Sequence, residues 1–240
     1  KGGKDTFVGA YRYDGYSLYD ILNSRVLKKK NEEEFPRCID MYVVVEARNG
    51  DRAVFSWGEI YYPSNRHRIL IATRVSRIVP SLTKELWPLP TKSRVVSALD
   101  LITERNISEP VKIIVRSFPR SFTVNKGMKP LLADTVRIMH NDSLLTRMTE
   151  LPDNLGAEIY QSVFYGRGKG IHGVSTFSGS PFNAVIAHHL PRTAGRIRQG
   201  LLCVAVVDGY RCTFTYSELC NRNDQAETLI MMVPSGENGG

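Results

Sequence analysis

Two blocks of sequence occur twice in this chain, in the same order, and that repetition limits the folds open to it. Tyr13-Asp14-Gly15-Tyr16-Ser17-Leu18-Tyr19-Asp20-Ile21-Leu22 is answered by Phe177-Ser178-Gly179-Ser180-Pro181-Phe182-Asn183-Ala184-Val185-Ile186. Asn49-Gly50-Asp51-Arg52-Ala53-Val54-Phe55-Ser56-Trp57-Gly58-Glu59-Ile60 is answered by Asp208-Gly209-Tyr210-Arg211-Cys212-Thr213-Phe214-Thr215-Tyr216-Ser217-Glu218-Leu219. A unit this long exceeds the about 20–50 residues of a solenoid repeat. It implies two similar domains: 1–117, then a linker over 118–134 in a mixed Pro/Lys/Gly segment, then 135–240.

Each unit reads as a helix followed by a hairpin. Gly15 and Gly179 suit a turn, and Ser17 and Ser180 are candidate N-caps. Asp20 makes a capping box with Ser17, and Pro181 suits the first helical position. Leu18, Ile21 and Leu22 fall at helical spacing, as do Phe182, Val185 and Ile186. Met41 to Ala47, the tight-turn signal Asn49-Gly50, and Arg52 to Trp57 predict a hairpin; Leu201 to Val207, Asp208-Gly209 and Arg211 to Tyr216 predict a second. Further strands are expected near Ile69 to Ala72, Arg94 to Ala98, Val111 to Arg116 and Leu229 to Val233. Comparison with the first unit places one more strand after Val233, so the natural chain is expected to continue. Each unit therefore combines short helices with strands.

The composition is that of a globular protein: 42% hydrophobic, 23% charged and 9% aromatic over 240 residues. No apolar run is long enough to span a membrane. The net charge of +8 favours anionic partners. The basic residues are scattered, which argues against nucleic acid. Lys28-Lys29-Lys30 stands close to Glu32-Glu33-Glu34, a pattern expected of a solvated charged segment. The four cysteines, Cys38, Cys203, Cys212 and Cys220, include no CxxC pair. Cys203 and Cys212 occupy places held by Val44 and Ala53 in the first unit, so both are expected to be buried free thiols.

The pattern Tyr13-x-Gly15-x-x-Leu18-x-Asp20-Ile21-Leu22, then a strand, then Gly50-x-Arg52-x-x-Phe55-Ser56-x-x-Glu59-Ile60, resembles the oxidoreductase molybdopterin-binding domain of the sulfite oxidase family. Val95-Val96, Asp100, Arg105, Ile107 and Lys112 to Val115 resemble the family's closing strands. The resemblance covers most of the chain, once per unit. It implies an α+β fold with mixed sheets, here in two similar units, that holds molybdenum on a pterin dithiolene with one protein cysteine, and it is compatible with an extracytoplasmic location. That cysteine belongs on a loop shortly before the family's helix. The corresponding stretch of the second unit, Val163-Phe164-Tyr165-Gly166-Arg167-Gly168, has none, and tyrosine does not reproduce a soft thiolate ligand.

Gly166-Arg167-Gly168-Lys169-Gly170 is the sharpest local signal. Alternating glycines let backbone N–H groups approach an anion, and Arg167 and Lys169 add charge. The alternative is a basic loop without a ligand. His172 follows, and His188-His189 and Arg192 stand at and beyond the next helix; together they form either a basic pocket or an ordinary cationic helix end. A zinc site from these histidines lacks a carboxylate or cysteine at ligand spacing. Glu59 and Glu218 hold matching places and suit either acid–base chemistry or a structural ion pair or cap.

The expectation is a ligand-binding or interaction protein of molybdopterin-domain fold without a molybdenum-ligating cysteine. Its candidate ligand-binding residues are Tyr165, Arg167, Lys169, His172 and Arg192, facing an anion such as a pterin, and no catalytic or metal residue is assigned. The alternatives are a molybdopterin-dependent oxidoreductase and a basic module for an anionic polymer.

Overall fold

The computed structural model describes residues 10–78, 86–89, 92–119, 124–125, 135–151, 154–166, 170–225 and 227–231. The architecture is α+β with short helices, and every strand pair among the described residues is antiparallel, where mixed sheets were expected. Strand β1 (Ala10–Ser17) runs into helix α1 (Leu18–Asn23), and a 3-10 turn (Cys38–Asp40) leads into the hairpin β2 (Met41–Ala47) and β3 (Arg52–Ser56). Helix α2 (Trp57–Tyr61) follows directly. Strands β4 (Ile69–Ile78), β5 (Leu86–Leu89), β6 (Arg94–Ser97) and β7 (Pro110–Ser117) complete the first half. Two sheets result. In one, β2 is flanked by β3 and β7. In the other, β4 is flanked by β1 on one side and by β5 and β6 in succession on the other.

The second half opens with β8 (Val136–His140) and β9 (Ser143–Met148), then the long pair β10 (Glu158–Gly166) and β11 (Gly170–Pro181). Helices α3 (Phe182–His189) and α4 (Ala194–Gln199) lead to the hairpin β12 (Leu201–Ala205) and β13 (Arg211–Thr215), then α5 (Tyr216–Cys220) and β14 (Leu229–Ile230). Helix, hairpin and short helix thus occur in that order in both halves. Each hairpin turns at a glycine of positive φ, Gly50 and Gly209, where a side chain would be strained.

The cores differ. Leu18, Val43, Val45, Ala53, Phe55, Ile60, Ile69 and Val95 close one apolar core in the first half. The second half divides its apolar residues. Ile186, Ile197, Tyr216, Leu219 and Cys220 form one cluster, and Ile138, Met148 and Val185 another, with Phe182 against both.

Several expectations need correction. Gly15 and Gly179 do not make turns; they lie in β1 and β11, where a neighbouring strand passes too closely for a side chain. A Cβ on Gly15 would sit 2.1 Å from the Ile71 carbonyl oxygen, and one on Gly179 2.4 Å from that of Ile230. Ser17 does cap α1, accepting from the Asp20 N–H at 3.0 Å, but its hydroxyl turns to the Asp20 carboxylate in place of a backbone-closed box. Ser180 caps nothing: β11 continues through Pro181, which is itself the N-cap, and the Ser180 hydroxyl donates to the Leu155 carbonyl. Lys29 is not solvated. It is buried against Asp40 at 2.7 Å and donates to the Phe35 and Arg37 carbonyls. Cys203 and Cys212 are only half-buried. The face of β13 that is fully covered carries Arg211, Thr213 and Thr215, so Cys212 points the other way. Most of the 118–134 segment and the end of the chain from Met232 lie outside the described residues.

The close approach at Gly15 generates a test. Gly15→Ala forces strands β1 and β4 apart and is expected to cost about 1–3 kcal/mol, the range for overpacked sites. Gly156→Ala, where a Cβ meets nothing within 4 Å, is expected to change stability by no more than about 0.5 kcal/mol. Urea denaturation of both variants measures the difference.

Candidate functional site

The sequence places two carboxylates, Glu59 and Glu218, three residues into short helices that follow a hairpin. The fold brings these helix starts together. Ser56 caps α2 by accepting from the Glu59 N–H at 2.9 Å, and its own proton goes to Glu218 Oε2 at 2.8 Å. Thr215 caps α5 by accepting from the Glu218 N–H at 3.1 Å, and its proton goes to Glu59 Oε2 at 3.2 Å. Each cap hydroxyl therefore satisfies its own helix and the carboxylate of the other. The Glu218 side chain also closes a capping box on the Thr215 N–H at 3.2 Å.

Arg105 closes this junction from below with no solvent exposure. Its guanidinium grips Glu59 at 2.6 and 2.9 Å and Asp100 at 2.5 and 2.7 Å, reaches the Val54 carbonyl, Ser97 and Thr215, and lies 4.5 Å from the centre of the Phe55 ring. Burial alone would lower the Arg105 pKa, but Glu59 and Asp100 outweigh it and drive it up. Glu59 thereby accepts three hydrogen bonds, two from Arg105 and one from Thr215. Glu218 differs: burial, and then the neighbouring Glu59, push its carboxyl up to about 7.

The candidate residues of the second half divide. Arg167 and Lys169 lie outside the described residues, as do the side chains of Tyr165 and His172. The backbone of Tyr165 pairs with Ile171, and Gly166 with Gly170, so β10 and β11 are paired up to the glycines that bound the loop. Arg192 is exposed. His188 and His189 meet edge to face at 4.9 Å and line a shallow cavity of about 300 Å³ with Arg147 and Glu150 from the β8–β9 hairpin and its exit. Burial and the adjacent His188 hold His189 below its ordinary pKa. Among the described residues, no three His, Cys, Asp or Glu side chains form a group able to hold a metal ion.

Comparison with protein-family models, curated proteins and solved structures finds no match.

A larger cavity, about 490 Å³, opens in the first half where the sequence signalled no site. Its walls are Ile21 and Leu22 from α1, Trp57 and Tyr61 from α2, Ile113 and Val115 from β7, and the segment Asn23 to Lys28. Trp57 directly follows the cap Ser56, so the helix start that joins the halves also sets the indole in this wall. Trp57 and Tyr61 stack with ring centres 4.2 Å apart and planes 13° apart. Arg25 and Lys28 supply the only charges in the lining. Only the periodicity of α1 and the aromatics of α2 hinted at these residues, and both signals read equally well as core.

Two outcomes follow from the junction. Arg105→Met strands two buried carboxylates and is expected to cost about 3–5 kcal/mol in denaturant unfolding. Glu218 has a folded pKa above its ordinary value of 4.5, so the folded state holds that proton more tightly. Its support is full below pH 4.5 and is lost as pH rises through about 7. Glu218→Gln is expected to flatten the stability profile across that window, measured by urea midpoints at successive pH values.

Proposed function

We propose that this chain is a ligand-binding protein built from two related sulfite-oxidase-like units of molybdopterin-domain fold, and that it works without molybdenum. The observation that carries the reading is the contrast between its buried polar junction and its open apolar cavity. The buried carboxylate junction is saturated by Arg105 and the cap hydroxyls. The open cavity beside α1 and α2 has apolar walls, two cations, and no carboxylate, thiol or histidine in its lining.

A molybdenum centre of this family needs an accessible thiolate, and the cysteines here do not fit it. Burial and Glu218 push the Cys212 thiol up to about 11, burial raises Cys220, and none of the four lines either cavity. None of the four stands on the stretch before the second helix, Val163 to Gly168, where the resemblance puts the ligating cysteine. The repeated order of helix, hairpin and capped short helix supports a common origin of the halves. Their divergence supports a division of labour: Arg211 is buried against Asp40, while its counterpart Arg52 is exposed beside Glu46. The basic loop Gly166–Gly170, with Tyr165, His172 and Arg192, is retained as a second place for an anion such as a pterin phosphate. The rival readings are an oxidoreductase that uses molybdopterin and a module for an anionic polymer. The scattered charge disfavours the polymer.

Protein made in a host that synthesises molybdenum cofactor is expected to carry well under one equivalent of molybdenum by elemental analysis. A stoichiometric content would establish the oxidoreductase reading instead.

A further inference from the structure

The cavity beside α1 has three features that together describe a ligand. Its body is hydrocarbon on nearly every side: Ile21, Leu22, Val26, Leu27, Ile113 and Val115, with the Trp57–Tyr61 stack as the remaining wall. Val26, 90% exposed, and Leu27 stand at its lip as apolar groups left to solvent. The second feature is charge. Arg25 and Lys28 are exposed, and among the described residues neither side chain has an ion-pair or hydrogen-bond partner. Three other cations of this protein, buried or half-buried, are matched: Lys29 by Asp40, Arg105 by Glu59 and Asp100, Arg198 by Asp51 and Glu104. The third is the scarcity of other polar groups. Asn23 Oδ1 accepts from the Tyr61 hydroxyl at 3.3 Å, so part of its capacity is taken.

We propose that this cavity binds an amphipathic anion: a compact hydrocarbon body seated against Trp57 and the aliphatic walls, with a carboxylate, sulfonate or phosphate held by Arg25 and Lys28. A volume of about 490 Å³ lies in the range of small-ligand sites, and such sites pair apolar walls with a few placed polar groups. Unmatched cations beside low-dielectric walls attract an anion more strongly than solvated ones do, and a guanidinium pairs with carboxylate or phosphate through parallel hydrogen bonds. A pterin ring suits the cavity poorly, because its many donors and acceptors would face hydrocarbon and lose their hydrogen bonds to water. The inference rests on the binding-protein reading and adds the chemistry of the ligand.

The chain has two tryptophans, so Trp87→Phe leaves Trp57 as the sole indole reporter. Two probes of like body are titrated against it, anionic anilinonaphthalene sulfonate and neutral N-phenylnaphthylamine, with pterin carboxylate as a third. The sulfonate is expected to perturb Trp57 fluorescence and to bind at least about tenfold tighter than the neutral probe. Replacing Arg25 and Lys28 together with alanine is expected to abolish that advantage and leave the neutral probe unchanged. Rising salt in the parent protein is expected to weaken the sulfonate alone, which reads the same charge effect without mutation. Equal affinity of the two naphthyl probes, or an advantage that survives the double substitution, overturns the ligand class while binding itself stands. Tighter binding of pterin carboxylate than of the sulfonate overturns the hydrocarbon body. If no probe perturbs Trp57, the cavity is no site and this inference falls, while the binding-protein reading is left with the loop at 166–170 alone.

Discussion

Arg105 is a guanidinium held away from all water, and the rest of the structure is arranged around the need to satisfy it. An uncompensated charge in such a place is prohibitive, so its five donors must all find acceptors. They draw on Glu59 after the first hairpin, Asp100 and Ser97 from the segment around β6, the Val54 carbonyl within β3, and Thr215 from the second half. One side chain thus sets the position of three parts of the first half and one of the second. Phe55 lies against the guanidinium and shields it.

The junction extends as a polar seam along β13. Arg211 meets Asp40 and Glu34, Thr213 donates to the Met41 carbonyl, and Thr215 meets Glu59. Beyond the seam, the Asn221 amide pairs with both backbone groups of Ile102 at 2.9 Å, as a strand neighbour would. Buried polar contacts of this kind yield little net stability against well-packed apolar residues, because desolvation offsets their attraction. Their directionality is what distinguishes them: a slip of one residue along β13 would break all three pairings and present Cys212 and Phe214 to the seam. The apolar core of the first half supplies burial, and the seam supplies orientation.

This division explains why the open cavity lies at α1 and α2 and not at the junction. The junction has spent its acceptors and donors on itself. The outer side of the same helix start carries Trp57 and Tyr61, which complete a wall with α1 and β7 and leave an apolar hollow with unmatched cations. Rigid support one residue away, at Ser56, holds the indole in place. A site backed by a locked helix start keeps its geometry better than one on a free loop.

Local chemistry was legible in the sequence alone. The Asn49-Gly50 and Asp208-Gly209 turns, the alternation of β2, the spacing of α1 and α3, and the repeated order of elements follow from φ restrictions and hydrophobic period, which act over a few residues. The α+β class follows from them. What the sequence could not reveal is which surface covers which. Lys29 reads as one of three solvated lysines until Asp40 is folded over it. Gly15 and Gly179 read as turns until the neighbouring strand's carbonyl occupies the place of a Cβ. The alternation of β13 marks Cys212 and Phe214 as its inner face. Yet Arg211, Thr213 and Thr215 are buried more deeply, because the first half supplies a second, polar surface for them to meet. Arg105, Glu59 and Glu218 are far apart in the chain, and no periodicity links them. Their convergence, and the cavity beside it, are decided by long-range contacts alone, since only a folded chain can compare the cost of a buried charge with the acceptors that surround it.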